Sequence, residues 1–225
     1  MAVGLITACN IGRRQDSYIL IGVLLPLTGE FSDNGLRALN ALYLAREEIN
    51  ARGSILTAKD NDSAGGILGR KLDIFVLNDR GDPEFIIEQY YRLVELGVAA
   101  IITSGCSGAS IALVEEMDND GTPVIVISET VKPNTTRSFY YSDFGVSNFV
   151  KDYFGSFAQM PMADAAAAYT SIMLLTRAIE KAGKTSHADI AAALKSIELD
   201  TALGQINYEE TENTYNNLFV IQWRQ

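Results

Sequence analysis

The sequence predicts an α/β protein with three layers, built around a parallel β-sheet and followed by a C-terminal β-hairpin. From Tyr18 onward, short apolar segments alternate with segments of helical periodicity. The apolar segments are continuous rather than alternating with polar residues, which is typical of strands covered by helices on both faces. The chain has 225 residues, enough to bury a sizeable core as one large domain or two small ones.

The first half of the chain alternates predicted strands with predicted helices. Strands are predicted at 19–25, 72–77, 98–103 and 123–127, and helices at 35–50, from 82 onward and at 107–118. Asp82 followed by Pro83 suits a helix start, because Asp caps the first turn and Pro fits its first position. This βαβαβαβ succession implies right-handed crossovers, and we expect the flavodoxin-like strand order 2-1-3-4.

The second half is predicted to be mainly helical. Helices are expected at 149–157, 163–182 and 189–197, and Gly183 suits the end of the second. Residues 138–141 are predicted to add a short strand at the edge of the sheet. The segments 204–208 and 218–223 have strand-like composition on either side of a polar loop, which predicts a β-hairpin between them.

The composition excludes several classes of function. The net charge is -10 and no segment concentrates Lys or Arg, so nucleic acid and anionic lipid surfaces are not expected as partners. Two Cys and one His cannot build a structural zinc site, and a single His leaves little room for Ser-His-Asp catalysis. His187 is expected in the exposed first turn of a helix capped by Ser186. Dinucleotide and P-loop motifs are absent from the sequence, and we expect no cofactor.

The N-terminal residues suggest export and lipid anchoring. The sequence Ile-Thr-Ala-Cys at 6–9 resembles a bacterial lipobox, in which Cys9 would be lipidated and residues 10–17 would form a tether. Against this, the preceding apolar stretch is short and carries no Lys or Arg. The alternative is a terminus without function. The longest apolar run, at 18–27, is too short to cross a membrane.

Ligand contacts are expected in the loops that follow the strands, because open parallel sheets bind ligands at their carboxyl ends. These loops are Thr28–Gly35, Asn78–Asp82, Ser104–Gly108 and Ser128–Thr130. The third is small, rich in hydroxyl groups and leads into a helix N-terminus, which favours an anion such as a carboxylate. The alternative is that Ser107 only caps this helix. Cys106 lies in the same loop and could act as a nucleophile, because a helix N-terminus lowers the pKa of a thiol. No catalytic base for it is evident in the sequence, so catalysis is not expected.

Acidic residues in the predicted ligand loops could in principle form a metal site. Asp33, Asp79 and Asp82 lie in loops at the same predicted edge of the sheet. Capping and turn roles explain all three better, and we expect no metal site.

Several segments resemble the type I periplasmic binding proteins of the branched-chain amino-acid group. The resemblance begins with Ile-Gly-Val-Leu-Leu-Pro-Leu-Thr-Gly at 21–29 and continues, in family order, at 48–50, 65–72, 79–83, 149–153, 165–169, 178–183 and 200–204. It covers most of the chain from Tyr18 onward. It implies two α/β lobes joined by three crossovers, with the ligand closed between them. Here the chain passes directly to the return crossover, so nearly the whole second lobe is expected to be missing.

The resemblance therefore implies a division of the chain into three parts. Residues 1–17 are a signal remnant or lipoprotein tether, and residues 18–203 are a single lobe with the bypass at 133–137. Residues 204–225 are the terminal hairpin, which in the family packs on the second lobe.

Site residues carry over only for the first lobe. Ser107 matches the serine that holds the ligand carboxylate, and Asn34 stands where the family often presents an aromatic wall. Gly81 replaces a cysteine that in some relatives pairs with the counterpart of Cys106, so Cys106 is expected to be a free thiol. The predicted ligand-binding residues are Thr28, Asn34, Ser104, Cys106, Ser107, Gly108, Ser128, Glu129 and Thr130.

The resemblance implies an extracytoplasmic solute-binding protein of an ABC transporter, or its remnant, that binds an amino-acid-like ligand or small carboxylate without chemistry. Its partner would be the transporter permease, and a lipid anchor would be its only membrane contact. The alternatives are a ligand-sensing or receptor domain of the same fold and a folded lobe without surviving binding activity.

Overall fold

The structure is a computed structural model that describes residues 17–52, 65–105, 109–127, 146–201, 204–207 and 218–221. The elements in chain order are β1 (Tyr18–Leu25), α1 (Ser32–Arg52), β2 (Lys71–Asn78), α2 (Pro83–Glu95), β3 (Ala100–Ser104), α3 (Ala109–Asp120), β4 (Val124–Ile127), α4 (Val146–Phe157), α5 (Ala163–Ala182), α6 (His187–Leu194), β5 (Glu198–Thr201), β6 (Gly204–Asn207) and β7 (Leu218–Ile221).

The main sheet has the order β2-β1-β3-β4-β7. Its first four strands are parallel, which confirms the predicted order 2-1-3-4. β1 pairs with β2 along its whole length, from Tyr18 opposite Lys71 to Leu25 opposite Asn78. β1 is continuously apolar because it lies between two strands and under helices on both faces.

The predicted C-terminal hairpin is wrong in its pairing. β6 pairs with β5 in a separate antiparallel sheet, whereas β7 pairs antiparallel with β4 at the edge of the main sheet. Pairing of β6 with β5 costs little loop entropy, because only two residues separate the two strands. β7, Leu-Phe-Val-Ile, instead extends the apolar sheet beside β4, which reads Val-Ile-Val-Ile. The predicted edge strand at 138–141 lies outside the described residues.

Helices cover both faces of the main sheet, which makes the three predicted layers. One core cluster joins one face of the sheet to α1, α4, α5 and α6 and includes Ile21, Leu42 and Ile172. The other joins the opposite face to α2 and α3 and includes Leu24 and Leu93. Within the described ranges, no helix is long and apolar enough to cross a membrane.

Two helix ends lie where capping residues in the sequence predicted them. The Asp82 carboxylate accepts hydrogen bonds from the backbone N–H groups of Glu84 and Phe85, both at 2.9 Å, and Pro83 begins α2. α5 ends at Gly183, whose φ of 68° is left-handed, as the sequence predicted. Other predicted bounds are displaced: α1 begins at Ser32 rather than at 35, and α6 spans His187–Leu194 rather than 189–197.

The outer edge of β2 is covered by side chains from the end of α1. The Asn50 side chain donates to the Leu72 carbonyl and accepts from the Leu72 N–H, both at 2.8 Å. Arg46 reaches Asp73 on the same strand at 3.5 Å. Since β2 is the last strand in the sheet order, these contacts occupy groups that a further strand would use.

Candidate functional site

The carboxyl ends of the parallel strands bring the predicted ligand loops to one edge of the sheet. Leu25 of β1 lies opposite Asn78 of β2, Leu24 opposite Thr103 of β3, and Ser104 opposite Ile127 of β4. The loops that begin at Thr28, Asn78 and Ser104 are therefore neighbours.

The loop between β1 and α1 is closely packed where α1 begins. Gly35 lies in the first turn of α1, and a Cβ atom there would be 2.2 Å from the carbonyl oxygen of Pro26. Only glycine permits this approach of helix and loop. Thr28 is exposed at the tip of the loop, and Asn34 is half-buried in the first turn of α1. The structure thus places both residues at the same corner of the sheet edge.

The start of α1 is held to the second half of the chain by an ion pair. Arg37 Nε donates to Asp164 Oδ2 at 2.8 Å, and Asp164 lies buried in the first turn of α5. The Tyr153 hydroxyl of α4 donates to the Arg37 carbonyl oxygen at 3.3 Å. Half-buried charge pairs with a direct hydrogen bond fix geometry well, so the turn that carries Asn34 has a defined position.

The side chain of Asn78 joins the loop after β1 to the loop after β2. Its Oδ1 atom accepts the backbone N–H groups of Leu27 and Arg80, both at 2.9 Å. Its Nδ2 atom donates to Thr28 Oγ1 at 2.9 Å. Arg80 adopts a φ of 59°, which the bond to Asn78 helps to hold. One amide group therefore sets the relative position of the two loops.

Asp79 is a fully buried carboxyl group at the same edge. Its Oδ1 atom accepts the Gly81 N–H at 2.8 Å, whereas no partner is found for Oδ2 among the described residues. Burial raises the pKa of Asp79 to about 6, although the bond from Gly81 acts in the opposite direction. Asp79 therefore changes its charge in a pH range where an exposed Asp stays ionised.

The chain packs closely against β4 where β3 ends and the next loop begins. Ser104 is buried, and the Gly105 N–H donates to the Ile127 carbonyl oxygen at 2.6 Å. A Cβ atom on Gly105 would lie 3.2 Å from that oxygen and 3.6 Å from Ser110 Oγ of α3. The chain thus passes close to β4 before α3 begins at Ala109.

Several predicted site residues lie outside the described ranges. These are Cys9, Cys106, Ser107, Gly108, Ser128, Glu129 and Thr130. Their roles stay predictions, as does the free thiol state of Cys106. Three of the predicted site residues lie within the described ranges, and all three are at the carboxyl edge: Thr28, Asn34 and Ser104.

The acidic loop residues do not form a metal site in the described part of the chain. No group of three His, Cys, Asp or Glu side chains suited to a metal ion occurs there. Asp82 caps α2, and Asp79 accepts a bond from the turn in which it lies.

Sequence reasoning missed the contacts of Asn78, Asp79 and His187. Asn78 is a polar residue that ends a largely apolar strand, which could have marked it as a loop anchor. His187 was expected to be exposed, but it is half-buried, with Nε2 at 2.9 Å from the Val98 carbonyl oxygen at the opposite edge of the sheet. No sequence pattern marks that contact, because it joins residues far apart in the chain.

Comparison with curated proteins finds a branched-chain amino-acid-binding relative. The chain is 26% identical over 119 residues to the Leu/Ile/Val-binding protein BraC3 of Rhizobium johnstonii. This match covers 53% of the chain and 29% of the relative, so it spans less than a third of that protein's length.

Solved structures with the same fold include further solute-binding proteins. LivJ of Streptococcus pneumoniae, in complex with isoleucine, has a TM-score of 0.70 at 14% identity, covering 91% of this chain and 95% of that chain. The leucine-binding protein LivK of Thermotoga maritima has a TM-score of 0.68 at 14% identity, covering 84% and 91%. A solute-binding protein of Rhodopseudomonas palustris in complex with benzoate has a TM-score of 0.65 at 12% identity, covering 85% and 89%.

A family model described as "Periplasmic binding protein" matches residues 19–147 and 145–225. These ranges include nearly every residue after the N-terminal segment. They agree with the order of elements and with the resemblance seen in the sequence. The chain therefore belongs to the periplasmic binding protein family.

Proposed function

We propose that this protein is an extracytoplasmic solute-binding protein of an ABC transporter, which binds an amino-acid-like ligand or small carboxylate without changing it. The observation that carries the proposal is the meeting of three polar loops at the carboxyl edge of the sheet in a member of this family. The ligands bound in two of the related solved structures, isoleucine and benzoate, support the ligand class. The family description supports an extracytoplasmic location. The proposed partner is the transporter permease.

The proposed site takes the ligand carboxylate at the start of α3. α3 runs from Ala109 to Asp120, so its N-terminal N–H groups and its dipole face the loop after β3. Ser107 is proposed to hold the carboxylate there. Thr28, Asn34, Ser104, Cys106 and Gly108 are proposed to line the same side, and Ser128, Glu129 and Thr130 the neighbouring loop.

The proposal includes a single lobe in place of two. β4 ends at Ile127 and α4 begins at Val146, so residues 128–145 connect the two halves of one α/β domain. A βαβ unit needs roughly 30 residues or more, which is longer than this connection. Residues 18–203 are therefore proposed to be one lobe with the bypass at 133–137, preceded by a tether at 1–17 that is lipidated on Cys9.

A single lobe limits the affinity. Small-molecule sites usually bury most of the ligand surface, and one lobe offers an open face. The loss of translational and rotational freedom on binding is nearly the same for an open site as for a closed one. Binding is therefore expected to be weak, roughly millimolar, or about 4 kcal/mol.

NMR titration of the purified chain with leucine, isoleucine, valine and benzoate tests the proposal. We expect saturable shifts at roughly millimolar concentration, weakened by Ser107→Ala. Ser156→Ala, an exposed residue of α4, is the matched control and should not change binding. If none of the four compounds binds, the proposed function is wrong. Micromolar binding by the monomer would contradict the single open lobe.

A further inference from the structure

We propose that Asp79 is a proton-controlled latch for the turn that joins β2 to α2. While its carboxyl group is neutral, the side chain is held inside the closed turn, whereas ionisation favours an opened turn that exposes Asp79 to water. The inference goes beyond the proposed function, because it concerns the ligand-free chain. Its basis is the burial of Asp79 in a short turn that local hydrogen bonds hold together.

The Asp79 carboxyl group is buried with only one of its oxygens satisfied. Oδ1 accepts the Gly81 N–H at 2.8 Å, whereas Oδ2 is buried without a partner among the described residues. An ionised carboxyl group in this position loses its water without gaining enough hydrogen bonds in return, so the neutral form is favoured. For this reason the pKa of Asp79 is raised to about 6.

No charged side chain in the described part of the chain offsets this loss. The Arg80 guanidinium stacks on the Phe85 ring, 4.0 Å from its centre, and the Asp82 carboxylate caps α2. The pKa shift of Asp79 has two causes, burial and then the opposing Gly81 bond, and neither is a neighbouring charge. The other titratable residues near the turn lie in the loop after β1 and in the first turns of α1 and α2, and none is bonded to Asp79: Glu30, Asp33 and Glu84.

The turn can open while the elements on either side stay folded. It is held by the Asp82 N–H bond to the Asp79 carbonyl at 3.1 Å, the Arg80 N–H bond to the Asn78 side chain at 2.9 Å, and the Gly81 bond. Arg80 and Gly81 have φ values of 59° and 67°, and the left-handed region is unfavourable for Arg, so opening also relieves strain. β2 still pairs with β1 up to Asn78, and Asp82 still caps α2.

The Asn78 side chain connects this turn to the predicted ligand loop after β1. Its Oδ1 atom accepts from Arg80 and Leu27, and its Nδ2 atom donates to Thr28. Opening of the turn removes the Arg80 bond, so the amide that positions Thr28 is held by one contact fewer. The pH of the surroundings therefore acts on a predicted site residue through the state of Asp79.

The size and sign of the effect follow from two pKa values. In the opened turn Asp79 has the ordinary pKa of 3.8, and in the closed turn its pKa is about 6. The closed turn is therefore most favoured below about pH 4, and the opened population rises up to about pH 6 and then levels off. Between pH 4.5 and pH 7.5 the ratio of opened to closed turn should rise roughly 30-fold.

Amide hydrogen exchange, followed by NMR on the ligand-free protein, measures this ratio. The Gly81 N–H exchanges when its bond to Asp79 is broken, so its protection, corrected for the intrinsic pH dependence of exchange, should fall roughly 30-fold from pH 4.5 to pH 7.5. A local opening exposes little surface, so low concentrations of urea should leave this exchange unchanged. The N–H of Ile21 in the central strand β1 is the reference for global unfolding, and its exchange should accelerate with urea.

Two Asp→Asn variants in the same turn provide the comparison. Asp79→Asn keeps an oxygen for the Gly81 N–H but cannot ionise, so the protection of Gly81 should no longer fall with pH. Asp82→Asn is the matched control, because Asn also caps helices, and it should keep the full pH dependence. A ¹³C titration of the Asp79 carboxyl carbon in the wild type should have its midpoint near pH 6, whether or not the variants fold.

Three results would overturn the inference. If Asp79 titrates near pH 6 while the protection of Gly81 stays constant, the ionised carboxyl group stays inside the closed turn. If Gly81 exchange depends on urea as Ile21 exchange does, the turn opens only with the whole fold. If the pH dependence persists in Asp79→Asn, another group controls the turn. None of these measurements involves a ligand, so the proposed function is tested separately by its own titration.

Discussion

Two Asp side chains at opposite edges of the parallel sheet differ in how their carboxylate oxygens are satisfied. At the amino edge, both carboxylate oxygens of Asp120 accept hydrogen bonds, from the Tyr90 hydroxyl at 2.8 Å and from the Thr122 N–H at 2.7 Å. At the carboxyl edge, Asp79 Oδ2 and Thr103 Oγ1 are buried without a partner in the described part of the chain. Satisfied groups stabilise a fold, whereas unsatisfied ones lower its stability and are enriched at functional sites. The contacts of Asp120 therefore stabilise the amino edge, whereas the buried Asp79 lowers stability at the edge where the ligand site is proposed.

Asp120→Ala is expected to have the largest effect on stability. It leaves the Tyr90 hydroxyl, on a fully buried side chain, and the Thr122 N–H without their acceptor. We expect a loss of about 2–4 kcal/mol in the free energy of unfolding, measured by urea denaturation. Glu88→Ala, an exposed position on α2, is the control and should change stability by less than about 0.5 kcal/mol. Equal effects of the two variants would show that the contacts of Asp120 do not stabilise the fold.

Asp79→Asn is expected to raise the free energy of unfolding above pH 6, whereas Asp120→Ala lowers it. The folded pKa of about 6 lies above the ordinary value of 3.8, so ionisation disfavours the folded state. The wild type should therefore lose stability as the pH rises from about 4 to about 6, by about 3 kcal/mol in total. Asn carries no charge, and its variant should exceed the wild type by about 1–3 kcal/mol at pH 7.5, less the cost of a buried NH₂ group.

Urea denaturation at pH 4 and pH 7.5 measures this difference. The advantage of Asp79→Asn should be absent at pH 4, where the wild-type carboxyl is mostly protonated. Glu88→Gln, which removes an exposed charge on α2, is the control. A wild type whose stability does not fall between pH 4 and pH 7 would contradict the burial of Asp79 without a partner for Oδ2.

His187→Ala is expected to have the smallest effect. The imidazole Nε2 bond to the Val98 carbonyl ties α6 to the amino edge, far from the loops of the proposed site. Its loss should cost about 1 kcal/mol, measured by urea denaturation. Binding of leucine, as measured by NMR titration, should not change. A clear loss of binding would show that the two edges are coupled.

The sequence predicts the fold well where a local signal is strong. The Asp82-Pro83 start of α2 and the Gly183 end of α5 are found as predicted, because each depends on the geometry of a single turn. The order of the four parallel strands is the one expected for a flavodoxin-like sheet, in which right-handed crossovers place helices on both faces. The partner of β7 was not predictable in this way, since a short apolar strand fits any open edge of an apolar sheet.

The candidate site is less predictable than the fold. Thr28 and Ser104 are found at the carboxyl edge as expected, because strand order alone brings their loops together. The contact from Asn78 to Thr28 joins residues 50 positions apart through one side chain, and no periodicity reports such a contact. The burial of Asp79 is equally hidden, since the sequence Asn-Asp-Arg-Gly-Asp reads as an exposed turn.

The Asn50 side chain has a consequence for solubility. An unpaired strand edge is a template on which another chain can add a strand. Asn50 satisfies both backbone groups of Leu72, and the Arg46–Asp73 pair places charges beside them, so part of the β2 edge is closed to such growth. A change at Asn50 would therefore show itself as oligomers and precipitate at high protein concentration, while any monomer that remains would keep its fold.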